Sequence, residues 1–212
     1  MHGEKQRKSA LKLVDGINIV GLAGKMGSGK DTFADWLIDH GLVEQTMSFA
    51  GAVRYVAEYL FGVDPRSREA KARDILQQVG SKMREIDYGV WVSRLARDYQ
   101  EKIYPRKAVI TDVRHVNEAD WVISSGNLLI LLDCPEVLRR ERISRRDFNS
   151  EPIADELWKH WHLHESEARV DSIFRKYSDH ERAVTIKQTT NHFDANERLL
   201  LEKIQRFLYS RE

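Results

Sequence analysis

The chain has 212 residues, 42% of them apolar and 32% charged, with a formal net charge of +1. That length suits one α/β domain with a substantial core, and the balanced charge removes any general electrostatic case for binding nucleic acid or an anionic membrane. Cys134 is the one cysteine, so an intramolecular disulfide is excluded, and no apolar run approaches membrane-spanning length. Residues 1–16 are polar and basic without the apolar centre of a secretory signal. They are expected to form a flexible tail before a single domain, 17–212, in a cytoplasmic protein.

Ile17–Ala23 is almost wholly apolar, the pattern of a strand buried on both faces of a parallel sheet. Lys30–His40 carries Phe33, Trp36 and Leu37 at helical spacing, and Gly41 is placed to stop that helix. Val43–Phe49 is short and mixed, a weak edge strand. Three helices are predicted next: Gly51–Phe61, Arg68–Glu85 with Ile75, Val79 and Met83 at intervals of four, and Tyr88–Gln100. One β-α-β crossover does not need three helices, so residues 51–104 are expected to be a helical insert with a role beyond scaffolding. Strands follow at Ala108–Asp112 and Leu128–Leu132, separated by a short helix, Asn117–Ser124. Glu136–Arg146 and Asp155–Tyr177 read as helices, Ala183–Ile186 as a late strand, and Asp194–Tyr209 as a final amphipathic helix. All four prolines fall between these elements, and the alternation predicts a three-layer α/β/α fold around a parallel sheet.

Between the first strand and the first helix lies Gly24-Lys25-Met26-Gly27-Ser28-Gly29-Lys30-Asp31-Thr32. Strand, glycine-rich turn, lysine and helix form the phosphate-binding loop arrangement. The glycines let main-chain N–H groups approach phosphate oxygens, Lys30 adds a full charge, and the helix start adds its unpaired N–H groups. Asp31 stands where the simplest pattern has Ser or Thr; the hydroxyl comes one residue later, at Thr32.

Asp112 ends a buried strand at the carboxyl edge of the sheet, where it could hold Mg²⁺ beside phosphates or serve as a turn or helix-cap aspartate. Arg114, two residues on, is a natural phosphate ligand. Arg139, Arg140, Arg142, Arg145 and Arg146 crowd one predicted helix, with Glu136 and Glu141 offsetting part of the charge. The favoured reading is a basic lid over residues 139–155 that closes on a transferring phosphoryl group; the alternatives are a solvated basic face or a nucleic-acid patch. In the insert, Arg54, Gln77, Gln78, Arg84 and Trp91 are candidate substrate groups, but taken alone the favoured reading is that Trp91 is core and the others are solvated. His160, His162 and His164 lack a matching ligand cluster and favour a role other than metal binding, and Cys134 reads as a small buried residue.

Several segments in this order resemble the phage-type deoxynucleoside monophosphate kinases. They are GKMGSGKDT at 24–32, Ser48-Phe49-Ala50 leading to Arg54, Leu76–Gly80 followed by Arg84 and Trp91, TDVRHVNEA at 111–119, and His164-Glu165-Ser166-Glu167. The resemblance spans most of 17–208 and accounts for Asp31-Thr32. It implies a P-loop nucleoside monophosphate kinase-like fold with an acceptor-binding helical insert and a basic lid. The implied reaction is transfer of the ATP γ-phosphoryl, with Mg²⁺, to a (deoxy)nucleoside monophosphate. On that reading Gly24, Gly27, Ser28, Gly29, Lys30, Asp31 and Thr32 bind the donor, and Thr32 and Asp112 hold the metal. Arg54, Gln78, Arg84, Trp91, Asp112 and Arg114 bind the acceptor, and Lys30, Asp112, Arg114, Arg142, Arg145 and Arg146 act at the reacting phosphoryl. Gln188–Asn191 stands where related enzymes place a loop near the adenine. Two other functions stay open: a P-loop kinase of a hydroxyl acceptor, such as dephospho-CoA or a hydroxymethylated base in DNA, and a nucleotide-binding regulatory ATPase. Partners are expected to be small nucleotides rather than nucleic acid or membrane, with a homodimer left open.

Overall fold

A computed structural model of the chain describes residues 18–64, 67, 70–101, 107–162 and 165–188. The expectations for the N-terminal tail, for Asn191 and its two predecessors, and for the final helix lie outside these residues. Five strands form one sheet: β1 (Ile19–Ala23), β2 (Gln45–Met47), β3 (Ala108–Val113), β4 (Leu128–Asp133) and β5 (Ala183–Lys187). Their order is β2-β3-β1-β4-β5, and every pairing is parallel. β2 is indeed an edge strand, and three residues long.

The strands are apolar runs because the sheet is covered on both sides. Val20 and Leu22 of β1, with Leu128, Ile130 and Leu132 of β4, face α1 (Lys30–Asp39) through Phe33 and Leu37. Ile19 and Ala23, with Leu129 and Leu131, face the opposite layer. That layer includes α2 (Phe49–Phe61), α3 (Ala70–Ile86), α4 (Val90–Gln100), α5 (Val116–Ser124) and α8 (Glu165–Tyr177). Helices α2 to α4 all fall between β2 and β3.

α6 (Glu136–Asp147) and α7 (Asp155–His162) build a small core of their own from Ile143, Ile153 and Trp158, with Met26 of the glycine-rich loop packed against it. Residues 163–164, which lie between α7 and α8 in the helix predicted over 155–177, are outside the described residues. Trp158 serves the α6–α7 core, whereas Ile173 and Tyr177 serve the sheet. Among the described residues no helix is long and apolar enough to cross a membrane.

The connection from β1 runs outward past β3 to β2, while β4 lies on the other side of β1. The chain direction therefore diverges at the carboxyl end of β1, the position where open parallel sheets hold ligands.

Candidate active site

The loop after β1 wraps the start of α1. Gly27 and Gly29 have φ of 79° and 83°, the left-handed region in which glycine is free of the side-chain penalty. At Gly27 a second constraint applies. A Cβ there would stand 2.8 Å from the carbonyl oxygen of Arg139, so α6 can sit on the loop only because this residue has no side chain. A Cβ at Gly24 would meet the Ser28 hydroxyl at 2.5 Å. Gly29 caps α1, which turns that helix's first-turn N–H groups toward the loop.

The Lys30 ammonium donates to the carbonyls of Gly24 at 2.7 Å and Lys25 at 3.1 Å. Burial lowers its pKa to about 8, and the Arg114 guanidinium pushes in the same direction. Asp31 and Thr32 are exposed on the first turn of α1.

α6 roofs this loop, but its arginines do different things. Arg139 is 3% exposed and donates to the main-chain carbonyls of Cys134 at 3.2 Å and Met26 at 3.3 Å. Its guanidinium and that of Arg140 each stand 5.4 Å from the Trp158 ring. Arg142 donates to Gln188 Oε1 at 2.6 Å, and the Gln188 amide donates on to the Ser28 carbonyl at 2.6 Å. Arg140 pairs with Asp155, Arg145 with Glu141 and Arg146 with Asp147. The crowded cations predicted to share one face are therefore divided. Arg139 lies beneath the helix, Arg142 reaches the loop, and the outer ones have carboxylate partners, two of them close in sequence (Glu141 and Asp147) and one, Asp155, at the start of α7.

Across the crevice, both Asp112 oxygens accept main-chain N–H groups at the start of α2, from Phe49 at 2.9 Å and Ala50 at 2.8 Å. Burial raises its pKa, opposed by those two bonds and by the charges of Arg114 and Arg54. Asp112 is thus the helix cap that one reading of the sequence allowed, here for α2. Arg54 is exposed one turn further along α2.

The turn between β3 and α5 is built on Glu118, which is 1% exposed. Its Oε2 accepts the N–H groups of Arg114 at 2.8 Å and His115 at 3.0 Å, and its Oε1 accepts from Arg84 of α3 at 3.1 Å. His115 Nδ1 accepts from Arg169 Nη1 at 2.9 Å. Burial, with Arg84, Arg169 and Arg114 around it, lowers the His115 pKa to about 3, so the ring is neutral and Nδ1 is the acceptor.

Glu167 of α8 joins the two sides. Both its oxygens accept the Met26 N–H, at 3.2 and 3.0 Å, and it lies 3.8 Å from Arg114 and 3.9 Å from Arg139. The Gln78 amide turns back to Asp74 on the outside of α3. Trp91, a candidate substrate group in the sequence, takes its other reading, that of a core residue. It is 3% exposed in the main core, and its indole N–H donates to the Gly80 carbonyl at 3.1 Å.

The structure thus brings together Lys30, Asp112, Arg114, Arg84 and Arg142, and leaves Gln78 outside and Trp91 beneath. Glu118, Glu167, Arg139 and Gln188 are members that the sequence reading did not assign to these roles. The donor set fits a cation carried in on phosphate oxygens: Thr32 offers a hydroxyl and Asp112 a carboxylate. Among the described residues no group of three His, Cys, Asp or Glu side chains could hold a metal alone. The side chains of His160, His162 and His164 lie outside the described residues.

No family profile matches the sequence. A protein of Acanthamoeba polyphaga mimivirus, provisionally named a deoxynucleotide monophosphate kinase, is 30% identical over 148 residues, which are 56% of this chain and 75% of the viral protein. The chain belongs to the deoxynucleoside monophosphate kinase family. Among solved structures, a gluconokinase from Sinorhizobium meliloti 1021 aligns with a TM-score of 0.55 and 12% identity, covering 93% of this chain and 96% of that one. At that identity the likeness concerns the fold, a P-loop kinase-like α/β/α sandwich. In this kinase family member the motifs that carried the resemblance, GKMGSGKDT and TDVRHVNEA, lie on opposite walls of one crevice.

Proposed function

We propose that the protein transfers the γ-phosphoryl group of ATP to the phosphate of a (deoxy)nucleoside monophosphate, with Mg²⁺, yielding the diphosphate. One observation carries this reading. Lys30 is held on the Gly24 and Lys25 carbonyls of the glycine-rich loop, and Arg114 stands 3.8 Å from Glu167, whose carboxylate accepts the Met26 N–H of the same loop. Two cations held toward each other across a crevice are stabilised by an anion between them, and the transferring phosphoryl is such an anion.

The reaction needs positioning and charge stabilisation more than covalent chemistry. The N–H groups of Gly27–Lys30 and the Lys30 ammonium would hold the donor phosphates, releasing Lys30 from the Gly24 and Lys25 carbonyls. Thr32 and Asp112 are the residues that would hold Mg²⁺, directly or through water, and the ion would supply charge neutralisation at the donor phosphates. Arg54, Arg84 and Arg114 would orient the acceptor phosphate in line. Arg142 is already seated on the loop, and Arg145 and Arg146 at the outer end of α6 would close over the developing charge as part of a 139–155 lid. An acceptor phosphate is ionised near neutral pH and needs no general base. Asp112, anchored through both oxygens to α2, supports that acceptor over a hydroxyl, which would require a base.

The test is ADP formation from ATP and Mg²⁺ with ribo- and deoxynucleoside monophosphates, dephospho-CoA, hydroxymethylated DNA, or no acceptor. The proposal expects turnover that depends on an added monophosphate. Turnover with a hydroxyl acceptor alone, or with none, would replace it with one of the other two functions.

A further inference from the structure

The Glu118 carboxylate divides its oxygens between two tasks. Oε2 accepts the N–H groups of Arg114 and His115, closing the start of α5 in the manner of a capping box. A glutamine could do that as well, because capping needs only a neutral carbonyl oxygen. Oε1 does something a glutamine could not. It accepts from Arg84 Nη2, whose other arm donates to the Gly80 carbonyl at 3.1 Å. The ion pair is largely shielded, with side-chain exposures of 17% for Arg84 and 2% for Glu118. It ties the last turn of the acceptor-side helix α3 to the same turn that projects Arg114 into the crevice.

We propose that Glu118 is a positioning residue for the acceptor: its buried carboxylate fixes Arg84 relative to Arg114, so that the two guanidinia form one preset phosphate seat. This rests on the acceptor reading of Arg84 and Arg114 given above. The surroundings agree with it. Burial and the nearby Asp112 raise the Glu118 carboxyl to about 7, a rise that the Arg114 and His115 N–H groups and the Arg84 charge oppose. The neutral His115 is itself ringed by Arg84, Arg114 and Arg169, which leaves Glu118 as the carboxylate in direct contact with Arg84 among the described residues. Without it Arg84 would keep only its Gly80 contact and swing with its own side-chain freedom. A seat assembled from a fixed guanidinium and a wandering one binds a phosphate less well, because the ordering cost falls on binding.

Glu118→Gln separates the two tasks. The amide oxygen still caps α5, while the amide N–H groups face Arg84 donor to donor. With dAMP, dCMP, dGMP and dTMP as acceptors, the acceptor KM should rise about tenfold, equivalent to roughly 1.4 kcal/mol, with the ATP KM and the thermal midpoint close to wild type. Arg84→Ala should raise the acceptor KM at least as much, and the double variant should be no worse than Arg84→Ala alone. An unchanged acceptor KM in Glu118→Gln beside a raised one in Arg84→Ala overturns the positioning role and leaves the acceptor reading standing. An unchanged acceptor KM in Arg84→Ala refutes the acceptor reading, and the positioning role with it. Equal rises in both KM values with a lower thermal midpoint in Glu118→Gln mark it as structural and overturn the proposal. If Glu118→Gln does not fold, Glu118→Asp, which keeps the charge but withdraws it from Arg84, carries the same test with the same expected rise. Failure of both to fold also overturns it.

Discussion

On the donor side of the crevice, the groups that would meet a phosphate come from one short run of sequence, Gly24–Thr32. In this structure Lys30 rests on the Gly24 and Lys25 carbonyls of that run, and Arg142 of α6 reaches it through Gln188 on Ser28. On the proposed acceptor side the cations come from three elements, α2, α3 and the turn after β3; Asp112 caps α2, and Glu118 binds the Arg84 side chain and the Arg114 main chain. A loop whose geometry is encoded by glycines can be prebuilt locally. A seat assembled from separate helices needs Glu118 and Glu167 to set its parts relative to one another. The two sides should therefore respond differently to substitution: donor-side changes remove a charge or a backbone shape, and acceptor-side changes loosen a relation between elements.

The largest expected effect is on the donor side. Lys30→Met should lower kcat/KM by about 100-fold or more with the fold retained, since a preorganised charge at the reacting phosphoryl contributes on that scale. Steady-state kinetics with circular dichroism checks this, and full turnover would remove Lys30 from the site. Arg139→Ala comes next. It strips the Met26 and Cys134 carbonyls of a charged donor and leaves Glu167 buried beside one cation fewer. A loss of about 3 kcal/mol in denaturant unfolding is expected, and a neutral result would show that α6 is not seated through this residue.

A pH effect sharpens the comparison. The free protein gives up the Lys30 proton near pH 8, whereas a bound phosphate favours the charged ammonium. ATP binding at about pH 9 should therefore take up a proton, and affinity should fall as pH rises through 8. Calorimetry in buffers of different ionisation enthalpy measures this, and Lys30→Met should abolish the uptake. The smallest effect is at Trp91. Trp91→Phe keeps the core but leaves the Gly80 carbonyl without its indole donor, at a cost of about 1 kcal/mol, with the acceptor KM unchanged. A large rise in that KM would restore Trp91 as a stacking group.

The same contrast governs what could be read from the sequence. β1, the glycine-rich loop and α1 are legible because apolar runs, positive-φ glycines and helical spacing are local signals. Asp112 and Arg114 are legible from their place at a strand end. Glu167 reaches the Met26 N–H across 141 positions, and Gln188 reaches Ser28 across 160. No periodicity announces such pairs, and Glu167 is one acid among 33 acidic residues. Glu118 did leave a trace, three residues after the position where α5 begins to cap, but the cap is a histidine rather than the Ser, Thr, Asp or Asn that signals it. Trp91 could not be assigned from its side chain alone, since an indole serves a core and a stacking site equally well.

The most direct test of the central claim follows the phosphorus atom. ATP labelled in its γ-phosphate is incubated with Mg²⁺, the protein and each deoxynucleoside monophosphate, and the products are separated. Phosphoryl transfer across the Lys30–Arg114 crevice predicts label in the β-phosphate of a deoxynucleoside diphosphate, and none with Lys30→Met. Label recovered as inorganic phosphate, or on a hydroxyl acceptor while monophosphates stay untouched, would contradict it.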